Sequence, residues 1–148
     1  MISSALAQAI DNAFDAPSDK IAERIQKLDD KHKGEYTVYA LYDKENNVQY
    51  VGRTRDFEAR KKAHKASHRG NLRPVPIEEN LTYTQARGLE QYYMIKYHTI
   101  NTQNKINNQI RGVSPKNRNV VIYYEVTKGF LEYTYNQVTN SIFNWLGI

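Results

Sequence analysis

The feature that most constrains this chain is a change of hydrophobic period at Tyr36. Tyr36-Thr37-Val38-Tyr39-Ala40-Leu41-Tyr42 and Val48-Gln49-Tyr50-Val51 are dense in β-branched and aromatic residues, which suit a pleated, half-buried surface. Asp43-Lys44-Glu45-Asn46-Asn47 between them is turn chemistry, because asparagine tolerates positive φ. The pattern predicts an antiparallel hairpin. Side chains alternate along a strand, so Thr37, Tyr39 and Leu41 share one face, and Tyr39 and Tyr50 can reach one neighbourhood from adjacent strands.

Before the hairpin the period is helical. A helix is expected over about 3–14, with Ala5, Leu6, Ala9, Ile10 and Phe14 on one side, broken by Ala16-Pro17. Ser18 can cap a second helix carrying Ile21, Ile25 and Leu28, and Gly34 ends it. Residues 1–33 therefore read as a helical arm. After the hairpin, Asp56 is a good N-cap for a helix through Phe57, Arg60 and His64 to about Ser67, closed by Gly70. Pro74 and Pro76 keep the next piece extended, and Val75–Leu81 reads as a third strand. Thr82 with Gln85 forms a capping box that opens a helix to about His98. Asn101 to Asn108 has no periodicity and reads as a loop. Val120–Val126 reads as a fourth strand, and Leu131 to Trp145 as a weak helix or strand pair. The expected class is α+β, a small sheet of three strands, or four with Val120–Val126, flanked by helices. The core would span 34–118, with 119–148 packing on it as a strand and helix.

Charge is unevenly spread. The net charge is only +5 in 148 residues, but 53–73 hold Arg53, Arg55, Arg60, Lys61, Lys62, Lys65, Arg69 and Arg73 against Asp56 and Glu58. Segment 105–118 adds four more cations and no acid, whereas the first 30 residues lean acidic. Such a concentration is an electrostatic footprint for a polyanion, its plainer alternative being a solvated helix face. The chain has no cysteine, so disulfides and thiolate metal sites are excluded; this suits a reducing compartment or a protein that refolds after crossing between compartments. No apolar run reaches a membrane span, and Met1-Ile2-Ser3-Ser4-Ala5-Leu6 lacks the basic start of a signal peptide. Export, if it occurs, is expected as part of something larger or by a signal-independent route.

Several residues could carry chemistry. Glu90 falls mid-helix between apolar and aromatic neighbours, where a carboxylate is costly unless it meets a partner or a metal. Mg²⁺ prefers oxygen ligands and keeps most of its waters, so one carboxylate plus a substrate phosphate is workable. The plainer alternative is a surface glutamate paired with Lys96 or Arg87. Arg60 offers a planar fork that matches a phosphate, and His64 lies four residues on, on the same helical face. Tyr39 and Tyr50 titrate near 10 unperturbed, so either would need help to act as a base, and among 12 tyrosines most are packing residues. His64 has an ordinary pKa suited to proton transfer. His64 and His68 have zinc-like spacing but no third ligand. Gly52 reads as a close-approach residue beside the substrate. Arg53, Arg55, Lys61, Lys62, Lys65 and Arg69 are placed to track a phosphate backbone.

Together Thr37-Val38-Tyr39, Tyr50-Val51-Gly52, Arg60, His64, Glu90 and a following asparagine resemble the catalytic module of the GIY-YIG nucleases, over about residues 36–108. The resemblance implies a three-stranded antiparallel sheet flanked by helices and metal-dependent phosphodiester hydrolysis, with Mg²⁺ or Mn²⁺ held at Glu90. Tyr39 would be the base or water-positioner, and Arg60 would act on the phosphate. Thr37 stands where the family has glycine. Asn101, Asn104, Asn107 and Asn108 compete for the asparagine position, with Asn104 favoured and Asn107 second. Tyr50-Val51-Gly52-Arg53-Thr54 and Asn104-Lys105-Ile106-Asn107 look most like nuclease domains at the tips of bacterial polymorphic toxins. That likeness implies a DNA endonuclease delivered from a larger secreted or surface protein into a target-cell cytoplasm and neutralised by an immunity protein. An RNA-directed nuclease toxin, for instance one cutting transfer RNA, and a non-catalytic nucleic-acid-binding module are the alternatives.

Overall fold

The computed structural model describes residue 8 and residues 18–100, 102–135 and 142–148. The expected helix over 3–14, apart from Gln8, lies outside them. Helix α1, Ser18–Lys31, leads to the hairpin of β1, Tyr36–Tyr42, and β2, Val48–Thr54. Helix α2, Phe57–Lys65, and strand β3, Arg73–Leu81, follow, then helix α3, Tyr83–Lys96. A long loop leads to α4, Val120–Tyr135, and the short α5, Ile142–Leu146.

The local devices are those the residue types favour. Asp43 Oδ1 accepts from the backbone N–H groups of Glu45 and Asn47, and Asn46 takes a φ of 63°, which closes the hairpin. Asp56 caps α2 by accepting from the Ala59 N–H at 3.0 Å. Thr82 and Gln85 form the capping box of α3 in both directions. Helix α2 ends at Lys65 with Ala66 as its cap, so Gly70 belongs to the turn beyond it.

The sheet is antiparallel with order β2-β1-β3, so β1 is central and β2 is an edge. Val38 and Val51 point to the face covered by α3, and α3 in turn lies against α4 and α5. Its centre is therefore buried nearly all round, from Tyr83 to Met94. Gln91 is fully buried on it, donating to the Trp145 carbonyl and accepting from the Val113 N–H. The opposite sheet face carries Tyr39, whose ring packs on Phe57 of α2.

Among the described residues there are three strands, and Val120–Val126 is not a fourth. That segment opens α4, and the helix continues to Tyr135. Its run Val120-Val121-Ile122-Tyr123-Tyr124 is buried throughout, and a short run buried on all sides does not show by its period whether it is strand or helix. Residues 142–146 are helical, and 136–141 lie outside the described residues. Helix α1 docks on α3 through Leu28 and through Asp29, which accepts from the N–H and Oγ1 of Thr84 at 2.8 and 3.1 Å.

The closest approach in this helical layer is at Gly88. A Cβ there would lie 2.6 Å from the Tyr123 carbonyl oxygen and would overlap the Thr127 side chain. Gly88→Ala should therefore cost about 2–3 kcal/mol in urea unfolding, since neither backbone nor buried threonine can give way freely. An unchanged midpoint would mean that α3 and α4 are further apart than described.

Candidate active site

The site forms where strand alternation on β2 meets two helices. Tyr50 and Gly52 point to the α2 face and Val51 and Arg53 to the α3 face, because successive side chains alternate. As β2 is the edge, groups from both faces meet around it. Tyr39 pairs directly with Gly52 across the ladder. Its phenol lies over the glycine, and a Cβ at Gly52 would fall 2.6 Å from Tyr39 Cζ. Gly52 thus makes room for the Tyr39 ring as well as lining the cleft.

Tyr39 is fully buried, and its hydroxyl is met by α2. His64 Nε2 lies 2.6 Å from Tyr39 Oη, and Arg60 Nε donates to the same oxygen at 3.4 Å. The i,i+4 spacing of Arg60 and His64 brings both to one atom, as expected for one helical face. Tyr50 joins the cluster, with ring centroids 6.4 Å from Tyr39 and 5.2 Å from His64. Burial, together with the neighbouring Tyr50, pushes the Tyr39 phenol well above its ordinary value, and Arg60 pulls the other way. Burial, with help from the charges of Arg60, Arg69 and His68, pushes His64 down to about 4. At neutral pH Tyr39 is then the donor and neutral His64 the acceptor at Nε2.

Glu90 comes from the buried middle of α3 and is 6 % exposed. Its Oε1 accepts from Arg53 Nη1 at 2.8 Å, not from Lys96 or Arg87. Arg87 is committed to the Tyr83 hydroxyl and the Gly112 carbonyl. Burial pushes the Glu90 carboxyl up, and Arg53 opposes it. A cavity of about 440 Å³ brings together Tyr50, Gly52, Arg53, Arg55, Arg60 and Glu90. A second, of about 380 Å³, shares Tyr50, Arg53 and Glu90 and continues past Asn108. Among the described residues Glu90 is the lone carboxylate lining either one. Among the described residues no group of three or more His, Cys, Asp or Glu could cage an ion. One hard oxygen donor opening on a wet cleft fits a small divalent cation that keeps waters and takes a phosphate oxygen, and does not fit zinc.

Other expected residues stand elsewhere. Asn104 is exposed and works within its own loop, where Oδ1 accepts from the Ile106 N–H. The asparagine tied to the site is Asn108, whose amide exchanges two hydrogen bonds with the backbone of Val51 at 2.9 and 2.7 Å. Asn107 donates to the Gln49 carbonyl one step along. Arg69 is not free to track a phosphate: it donates to the carbonyls of Ile106 and Asn107 and stacks 4.2 Å over Tyr50. Arg55 lines the cleft while donating to the Lys33 carbonyl. Lys62 and Lys65 lie exposed on α2, and Lys61 pairs with Glu58. His68 meets the Lys105 carbonyl, away from a histidine pair. Two partnerships escaped sequence reasoning, Arg53 with Glu90 and Asn108 with Val51. Alternation along β2 sets Arg53 on the face opposite Tyr50 and Gly52 but names no partner for it, and nothing local marked Asn108 over its neighbours.

A family model described as the GIY-YIG catalytic domain matches residues 35–137. No curated protein and no solved structure matches the chain.

The histidine gives a test of this arrangement. A folded pKa near 4 against about 6.5 unfolded means that the stability held by neutral His64 is fully present above pH 6.5. It drains as pH falls toward 4. The unfolding free energy of the wild type relative to His64→Gln should therefore decline over that window, by up to about 1.4 kcal/mol per pH unit. A pH-independent difference would show that His64 is not held neutral against Tyr39.

Proposed function

Because the chain belongs to the GIY-YIG catalytic domain family, and is therefore an endonuclease acting on nucleic acid, we propose that it is a Mg²⁺- or Mn²⁺-dependent DNA endonuclease serving as an antibacterial toxin effector. The observation that supports the chemistry is that Arg60, in contact with the buried Tyr39–His64 pair, shares one basic cleft with Glu90 at the edge of β2. Nucleases of this family generally use divalent metal ions.

The backbone phosphate enters the cleft against Arg60, Arg53 and Arg55. Arg60 touches the Tyr39 hydroxyl while its guanidinium remains on the cleft wall. It can span a phosphate oxygen and the nucleophile's position at once. A water attacks phosphorus and its proton passes to Tyr39 Oη as the Tyr39 proton passes to His64 Nε2. The P–O bond to the leaving group breaks, and that oxygen takes a proton from solvent. Tyr39 cannot act as a free phenolate, since burial holds its proton; the relay to His64 removes that need. A divalent ion bound at Glu90 would supply Lewis-acid stabilisation of the phosphate charge. Arg53 would turn from Glu90 to the substrate, which its half-exposed side chain permits.

A buried acid in a cleft that must receive a polyanion also weighs against a module that only binds, because there it would be a repulsion with no return. The toxin assignment, the cognate immunity protein and action in a target-cell cytoplasm rest on the likeness of the 50–54 and 104–107 segments to toxin tips. The deciding experiment is incubation with plasmid and with total RNA, with and without Mg²⁺ or Mn²⁺. Metal-dependent plasmid nicking supports DNA as substrate, and RNA loss alone would transfer the assignment to an RNA-directed toxin.

Two variants test the roles. Glu90→Gln should abolish cleavage with the fold preserved, since the amide oxygen can still accept from Arg53 while the metal-binding charge is gone. Full cleavage by that variant, or by the wild type in excess chelator, would sink the metal mechanism. Arg60→Ala and Arg60→Lys should both lose single-turnover rate by roughly a hundredfold or more while binding weakens only severalfold. Wild-type cleavage by Arg60→Ala at saturating DNA would leave Arg60 as one phosphate contact among several.

A further inference from the structure

Although the first 30 residues lean acidic, the charges of α1 are sorted by face. Lys20, Arg24, Lys27 and Lys31 fall at i, i+4, i+7 and i+11, along one stripe. Asp19, Glu23 and Asp30 fall on the flank beside it, and Asp29 is turned inward to Thr84. The stripe borders a groove of about 330 Å³ lined by Arg24, Lys27, Leu28, Lys31, Arg118 and Asn119, with no carboxylate among the described residues. Arg24 donates to the Arg118 carbonyl and Asn119 Oδ1, which fixes α1 against the start of α4. Lys27, Lys31 and Arg118 are exposed and form no ion pair among the described residues.

This groove and the catalytic cleft are lined by consecutive residues, Lys31 and His32. Just beyond Lys31, His32 stacks on Tyr83 at 4.0 Å, and both line the cleft with Arg53, Arg60 and Glu90. Arg55 reaches back to the Lys33 carbonyl at the same junction. The stripe is about 16 Å long at the helical rise, and a duplex offers a phosphate charge every ~1.7 Å of its axis. Lys20, Lys27 and Lys31 are point charges on flexible stems, and the Asn119 amide is engaged by Arg24, which suits sequence-independent backbone contact. Residues 18–34 precede the segment matched by the family model and Arg118 lies inside it, so the α1 part of this contact is an addition to the catalytic domain.

We propose that the basic face of α1, together with Arg118, is a second binding site for the phosphodiester backbone, holding the arm of the duplex that leaves the cleft past His32. The proposal rests on the reading of the cleft as the site of duplex cleavage. Its test compares wild type with Lys27→Glu/Lys31→Glu in excess chelator, by anisotropy over a salt series, on DNA duplexes of about 30 and about 8 base pairs. The double variant should lose about tenfold in affinity for the long duplex, and its log–log salt slope should fall by about 2. Affinity for the short duplex, which fills only the cleft, should stay at the wild-type level. Lys27→Gln/Lys31→Gln should move the same way by less. Undiminished binding of the long duplex, or equal losses on both lengths, would overturn the α1 site while leaving the cleft's assignment standing. Failure of the wild type to bind either duplex would overturn both.

Discussion

A tyrosine hydroxyl carried into the interior must find partners there, and the catalytic half of this fold is arranged around satisfying one. Tyr39 Oη is reached from α2 by Arg60 and His64, and the ring passes over Gly52 of the neighbouring strand. Each contact places a constraint elsewhere. The strand partner must lack a side chain, α2 must start early enough to bring residues four apart onto the phenol, and Asp56 sets that start as N-cap. The proton on Tyr39 and its absence from His64 share one cause, since burial penalises the charged form of each.

Helix α3 is the second constraint. Lying between the sheet and α4–α5, it has no solvent face along its centre, so every polar group there needs an internal partner. Gln91 finds Trp145 and Val113, Thr84 finds Asp29, and Glu90 finds Arg53. Glu90 differs in that its partner stands between two cavities. That leaves the carboxylate the one member of the set whose partner can be exchanged without opening the core.

The basic residues divide by what they hold. Arg69 and Arg87 are consumed by backbone carbonyls and by tyrosines, so they build the walls of the site. Arg53, Arg55 and Arg60 face the cleft, and the α1 stripe lies beyond it. A count of cations along the chain cannot make this division, because a guanidinium that braces a loop and one that faces a phosphate carry the same charge.

How much was legible follows from the range over which each effect acts. The hairpin, the Asp56 and Thr82 caps, the third strand and the shared face of Arg60 and His64 all depend on residues within a few positions of each other, and the sequence by itself determined them. So did the α+β class and the family. The helical period of α3 put Glu90 among apolar and aromatic neighbours, but offered Lys96 or Arg87 as its partner and not Arg53. What only the tertiary structure decided are the cases where the same local pattern serves two ends. Val120–Val126 is as apolar as a strand but is a helix, because burial on all sides erases the period that would tell them apart. Asn108 rather than Asn104 reaches β2, because four similar side chains in one loop are distinguished only by where the loop lands. The pairing of Arg53 with Glu90 spans 37 residues. No local pattern can favour such a contact until the sheet and α3 are packed together.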